Sequence, residues 1–99
     1  MNININKNER AATITLEGRL DTLTAPMLDA IFENELTGVK ELVFDCDGLE
    51  YVSSAGLRQL LRAKKIMDME AGSMKLVNVK EIVNEVFEIT GFSEILTIE

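Results

Sequence analysis

Isoleucine and asparagine alternate through Asn2-Ile3-Asn4-Ile5-Asn6, and Ala12, Ile14 and Leu16 alternate with Thr13, Thr15 and Glu17. A period of two belongs to strands with one buried face, so the pattern predicts a hairpin turning through the polar residues Asn6 to Arg10. Past Gly18, the hydroxyls of Thr22 and Thr24 and the ring of Pro26 mark a helix start. Hydroxyls can cap orphan N–H groups, and proline gives up nothing in a first turn. Met27, Leu28, Ile31, Phe32 and Leu36 then recur at helical spacing, with Gly38 as the stop. Leu42-Val43-Phe44 is an unbroken apolar run, expected of a central strand covered on both faces or nearly so. From Ser54 to about Met69, Leu57, Leu60, Leu61 and Met67 share one helical face and Arg58, Arg62 and Lys65 another. Gly72 and Ser73 break that helix. Met74 to Val79 reads as a strand, and Asn78 with Glu81 has capping-box spacing before a helix through Ile82, Val83, Val86 and Phe87, closed by Gly91. Ile95 to Ile98 is long enough for a short last strand.

Strands alternating with helices require crossover connections. The predicted fold is therefore α/β: a mainly parallel mixed sheet of four to five strands, its N-terminal edge strand antiparallel, packed against three or more helices. No repeat, low-complexity tract or linker divides the 99 residues, and a chain of that length suits one core. The expectation is one domain, 1-99.

Composition removes whole classes of function. Ten basic residues against 17 acidic ones leave a net charge of −7, which repels phosphate backbones and anionic lipid heads, so neither nucleic acid nor membrane is an expected partner. With no histidine, Ser-His-Asp and Cys-His nucleophile pairs and histidine-bearing zinc sites are excluded. Lone Cys46 has no internal disulfide partner and reads as a small buried hydrophobe. The N-terminus carries no apolar run of signal-peptide length. These features point to the cytoplasm. The sequence calls for no cofactor.

Two segments invite a chemical reading. In Phe44-Asp45-Cys46-Asp47-Gly48-Leu49, carboxylates at i and i+2 project to one side of an extended segment. They resemble the nucleophile motif of haloacid-dehalogenase-like phosphatases, which would make Asp45 and Asp47 a magnesium-dependent phosphohydrolase site. The later lysine and paired acidic motif of that family are missing, and Asp with Gly is an ordinary turn composition. The second segment is Tyr51-Val52-Ser53-Ser54-Ala55-Gly56-Leu57-Arg58. Its two serine hydroxyls stand where a loop enters a helix. They can serve as an N-cap alone, and the small Ala55 and Gly56 can also open the first turn to a macromolecular surface. Arg58, Arg62 and Lys65 beside them form either a solvated face or a match for an acidic partner patch.

The Ser53-Ser54-Ala55-Gly56-Leu57 run resembles the signature of the STAS family, the anti-sigma factor antagonists of bacteria. Gly18 to Pro26 is similar to that family's early block of Gly, an apolar residue, Asp, then Thr-Ala before the first helix. Leu42 to Asp45 with Gly48-Leu49 resembles its central strand and turn. The resemblance implies a single STAS domain with no catalysis of its own. Its partner would be an anti-sigma factor, often a serine kinase of the histidine-kinase-like ATPase fold, with a serine phosphatase to reset the cycle. Binding would release a sigma factor, and phosphorylation would abolish binding. Aligned on Gly56-Leu57, the phospho-acceptor is Ser54, and Asp21 falls where the family has a carboxylate beside it. The implied contact surface is Asp21, Thr22, Thr24, Ser53, Ser54, Ala55, Gly56, Leu57 and Arg58. Ser53 stands where phosphorylated members often have Asp, which leaves open a phosphorylation-independent subunit of a signalling particle or lipid-transport complex.

Overall fold

Backbone pairing through the chain builds one four-stranded sheet in the order β1-β2-β3-β4, in a computed structural model describing residues 1–99. The strands are β1 (Asn2–Asn8), β2 (Ala11–Leu20), β3 (Glu41–Val52) and β4 (Ser73–Val77). The helices are α1 (Pro26–Glu35), α2 (Ser54–Met69) and α3 (Glu81–Thr90), followed by a 3₁₀ turn at Phe92–Glu94. β1 is antiparallel to β2, and both other pairings are parallel. The predicted tail strand amounts to one parallel bridge, Ile98 to Leu76.

Register turns the alternating pattern into a core. Ile14, Phe44 and Leu76 lie side by side across β2, β3 and β4, as do Ala12, Leu42 and Met74, and all six are buried. Ile3 and Ile5 of β1 oppose Leu16 and Ile14 on the same face. The connections β2-α1-β3 and β3-α2-β4 step the same way across the sheet, and right-handed crossovers then put their helices on one side. A single cluster joins these rows to Leu28 and Phe32 of α1, Leu60 and Met67 of α2, and Val83 and Phe87 of α3. Thr13, Thr15, Val43, Asp45, Lys75 and Val77 alternate with the core rows and stay half-buried. Leu42-Val43-Phe44, expected to be covered on both faces or nearly so, is buried through Leu42 and Phe44 on the helix side, while Val43 on the other face is half-buried.

Five other local expectations change. β3 does not end at Phe44 but runs 12 residues, because β2 extends alongside it to Leu20. The Asp45 to Gly48 stretch is absorbed by a register shift against Thr15 and Glu17, a bulge rather than a turn. The hairpin turn is likewise tighter than Asn6 to Arg10, since β1 pairs through Asn8. Asn78 does not cap α3, whose N-cap position is Lys80. Asn78 instead takes a left-handed φ of 57°, and its side-chain amide donates to Asp45 Oδ1 at 3.1 Å, tying the end of β4 to β3. Met27, read as part of the apolar stripe of α1, is 46% exposed, whereas Met67 of the α2 stripe is fully buried. The inward face of α1 follows Leu28, Phe32 and Leu36, at four-residue steps, and leaves Met27 on its flank. Pro26 opens α1 and Gly91 closes α3 in a left-handed conformation, φ 80°, as predicted. No helix is long and apolar enough to cross a membrane.

Cys46 lies in the core row with no exposed surface. Burial, with the neighbouring Asp45 charge adding to it, pushes its thiol up to about 12. Because the thiolate is the reactive form, Cys46 in the folded domain should resist a thiol-reactive disulfide reagent at pH 8 and be labelled fully in concentrated urea. The raised value also sets a sign for stability. Above pH 9 the unfolded chain sheds this proton while the folded one keeps it, so the Cys46 contribution to unfolding free energy declines from about pH 9 upward. Urea titrations of the wild type against Cys46→Ala should diverge in that window, and rapid native-state labelling would contradict the burial.

Candidate functional site

β2 and β3 stay paired to their last residues, Leu20 against Val52, and Ser53 N–H donates to Leu20 O at 2.9 Å. Two chain segments therefore leave the carboxyl ends of adjacent parallel strands together: the turn Asp21 to Ala25 and the entry into α2. This is where α/β sheets ordinarily carry their sites.

The two serines divide the work. Ser53 is extended, φ −92° and ψ 178°, and its side chain accepts from Gly56 N–H as the N-cap of α2, at 3.4 Å. Ser54 is the first helical residue and is exposed. Its hydroxyl makes no hydrogen bond within the chain. Ala55 is half-buried, and Gly56 and Leu57 are buried. A Cβ at Gly56 would lie 2.7 Å from Leu20 O and 2.8 Å from Leu20 Cγ, so glycine lets the first turn of α2 sit against the end of β2. The open first turn anticipated from small residues thus faces inward at Gly56, because its lack of a side chain is used against Leu20.

Asp21 organises its own turn. Its Oδ1 accepts from Leu23 N–H at 3.1 Å, Thr24 N–H at 3.2 Å and the Thr24 hydroxyl at 3.1 Å, and Arg19 Nε lies 3.7 Å from Oδ2. Desolvation works to raise the carboxyl's pKa, but the Thr24 and Leu23 hydrogen bonds and the Arg19 charge together outweigh it and hold the pKa below 3.8. Thr24 Oγ accepts from Asp21 N–H at 2.9 Å, and its single proton is shared between Asp21 Oδ1 and Arg19 O, which lies 2.7 Å away. Thr24, expected as a helix cap and contact residue, is thus occupied inside the turn, and Ala25 takes the cap position of α1. Thr22 is exposed.

Between the two segments lies a shallow cleft of about 380 Å³, lined by Thr22, Asp29, Ala55, Arg58, Gln59 and Arg62 among others. Its floor holds α1 to α2. Gln59 Nε2 donates to Ala25 O at 3.0 Å and Asp29 Oδ1 at 2.8 Å, and Arg62 pairs with the same carboxylate. The Arg62 guanidinium also stands 5.7 Å from the Phe32 ring centre. The stripe read as Arg58, Arg62 and Lys65 therefore splits: Arg62 is committed to α1, while Arg58 is exposed and enters no ion pair, one turn beyond Ser54.

Sequence reasoning missed three features around this site. Leu23, at the tip of the Asp21 turn, is 87% exposed, and its signal was an apolar side chain between two threonines, out of phase with the α1 stripe. Met27 joins it on the surface. Arg19 stacks 4.1 Å over the Tyr51 ring, a pair that depends on β2 and β3 both reaching past the bulge. The Asp45–Asp47 pair gains no support as a metal site. It lies within β3, Asp45 Oδ1 accepts from Asp47 N–H at 3.1 Å as well as from Asn78, and nowhere do three or more His, Cys, Asp or Glu side chains group to hold an ion.

Two outcomes follow from this geometry. Thr24→Val removes a donor to Asp21, so the Asp21 titration midpoint, read by carboxyl NMR, should move up toward 3.8; an unmoved midpoint would show the turn's hydrogen bonds to be idle. Gly56→Ala should lower the urea midpoint despite the helix-propensity gain of about 1 kcal/mol. The clash with Leu20 O costs roughly 1–3 kcal/mol, and a raised midpoint would contradict the close approach.

The STAS domain model matches residues 2–99. BtrV of Bordetella bronchiseptica, a candidate anti-sigma factor antagonist, is 32% identical over 99 residues, covering 99% of this chain and 85% of that one. The anti-sigma-B factor antagonist of Bacillus subtilis is 26% identical over 98 residues, covering 99% and 90%. Among solved structures, the anti-sigma factor antagonist SpoIIAA in its unphosphorylated form superposes with a TM-score of 0.86 at 19% identity, covering 99% of this chain and 88% of that one. The phosphorylated form of Bacillus SpoIIAA gives 0.73 at 19%, covering 99% and 91%. With its sheet order, its serine-entered second helix and a family match over almost every residue, this chain belongs to the STAS domain family.

Proposed function

We propose that this domain is an anti-sigma factor antagonist: it binds an anti-sigma factor through the Asp21 turn and the entry to α2, frees a sigma factor, and is switched off by phosphorylation of Ser54. The observation that carries this reading is the contrast between the two serines. Ser53 is occupied as the helix cap, while the Ser54 hydroxyl is exposed and unbonded beside the Asp21 turn. A kinase can reach Ser54 without opening the fold. The names of the relatives and the existence of both phosphorylation states of a structural neighbour support the same reading.

Electrostatics makes the switch effective. A phosphate on Ser54 adds about −1.5 to −2 charge and three strong acceptors. In the free domain the first-turn N–H groups of α2 stabilise it by about 0.3–1 kcal/mol, and the unpaired Arg58, four residues on, gives it a cation at helical i,i+4 spacing. In a packed interface, the new charge beside Asp21 would be desolvated. Like-charge juxtaposition there costs several kcal/mol, and each 1.4 kcal/mol is about tenfold in affinity. The kinase would be the anti-sigma factor itself, of the histidine-kinase-like ATPase fold, with a serine phosphatase reversing the step. The setting is the cytoplasm, consistent with a lone buried thiol.

After incubation with that kinase and ATP, phosphopeptide mapping should place the label on Ser54 and not on Ser53. Ser54→Asp should weaken binding to the anti-sigma factor by at least about tenfold with the thermal midpoint within a few degrees of wild type, while Ser54→Ala binds constitutively. Label on Ser53 alone, or parallel loss of stability and binding in Ser54→Asp, would refute the assignment.

A further inference from the structure

The surface of α3 carries apolar area that the core does not use. At 3.6 residues per turn, Val83 and Phe87 point inward and are buried, Val86 is half-buried, and Ile82 and Ile89 continue the same apolar arc around the helix. That arc spans about 160° of the circumference, wider than one packed face requires. Ile82 is 64% exposed and Ile89 is 86% exposed. Ile95, 48% exposed, follows the 3₁₀ turn that packs back on α3. Isolated surface isoleucines need no explanation, but Ile82 and Ile89, two turns apart on one flank with half-buried Val86 between them, form an apolar stripe.

Charge says what kind of surface fits there. Residues 81 to 99 hold five glutamates and no lysine or arginine, so they carry −5 of the chain's net −7. Glu99 pairs with Lys75 at 3.6 Å. Glu81, Glu85, Glu88 and Glu94 enter no ion pair, and Glu81, Glu85 and Glu88 occupy the side of α3 that borders Ile82 and Ile89. A second copy brought face to face on this stripe would set glutamates against glutamates. A partner with cations beside apolar side chains would cover the isoleucines and neutralise the rim together.

From this we infer a second docking surface, the Ile82–Ile89 flank of α3 with its glutamate border, for a basic amphipathic segment of a partner protein. It lies outside the Asp21 turn and the start of α2 and does not depend on the state of Ser54. The helix-in-groove logic applies in reverse: α3 presents anchors at i, i+4 and i+7, and the incoming segment supplies apolar pockets between lysines or arginines. Acidic flanking gives it salt-sensitive, sign-selective recognition.

The test is an NMR titration of the labelled full chain with a short Leu/Lys peptide in amphipathic helical register, alongside a Leu/Glu peptide of the same register. Saturable shifts should centre on residues 81 to 95 with the Leu/Lys peptide and be absent with Leu/Glu. Ile82→Ser with Ile89→Ser, and separately Glu85→Lys with Glu88→Lys, should each weaken binding by about tenfold or more. Glu9→Lys with Glu41→Lys, equal in charge change but elsewhere, should weaken it far less, and Ser54→Asp should leave it unchanged. Circular dichroism on each variant confirms that these surface changes leave the fold intact. The inference is overturned by shifts centred on the serine loop or spread over the whole surface, or by equal weakening in the two charge reversals. It is also overturned by self-association in sedimentation that Ile89→Ser abolishes, which would make the occupant a second copy.

Discussion

The parallel pairing of β2 with β3, carried to Leu20 and Val52 and extended by the Ser53 N–H to Leu20 O bond, is the constraint on which the site depends. Parallel strands that end together release their loops together, so the Asp21 turn and the entry to α2 leave the sheet side by side, with Thr22 of one and Ala55 and Arg58 of the other lining one cleft. Everything that sharpens the site reinforces that alignment. Gly56 lets α2 start against Leu20, and Gln59 and Arg62 tie α2 to Asp29 of α1. The bulge at Asp45 to Gly48 lets β3 continue beyond it.

Within that frame, polar groups fall into those already satisfied and those left over. Asp21 and Thr24 satisfy each other and the turn's N–H groups, a network that holds the Asp21 carboxyl below its ordinary pKa. Ser53 contributes the cap, typically about 1 kcal/mol. Ser54 and Arg58 remain without partners. A group left unpaired on the surface costs little there and is available to chemistry or to another protein, which is why the unsatisfied members of the cluster, rather than the well-bonded ones, define the functional reading. The same accounting separates the acidic surface: Asp29 and Asp68 have cations, whereas the glutamates along α3 have none.

The helical spans of α2 and α3, the edge position of β1 and the left-handed close of α3 at Gly91 were legible in the chain because each follows from a local rule of period, capping or φ preference. Less legible was the extent of β3. Asp45 to Leu49 has turn composition, and only the long partner β2 keeps it in the sheet. Asn78 illustrates the same limit. Its spacing to Glu81 fits a cap, yet Asp45, 33 residues away in sequence, claims its amide. At the site, the residue pattern pointed to the serine pair and the STAS resemblance added Asp21 and singled out Ser54, but neither showed that Ser53 is spent as the cap, nor the roles of Leu23, Arg19 and Tyr51 around them.

The sequence by itself therefore determined the element order through α3, most of the buried rows and the family signature, since all three are written in spacing that a strand or helix reads within its own length. The tertiary structure alone decided that the sheet is covered on one side, that Gly56 and Leu57 face inward while Ser54 faces out, and that Arg62 is held and Arg58 is not. Those outcomes depend on which atoms meet across elements distant in the chain, and competition for a hydrogen-bond donor, a carboxylate or a volume in the core is settled only when all the competitors are in place.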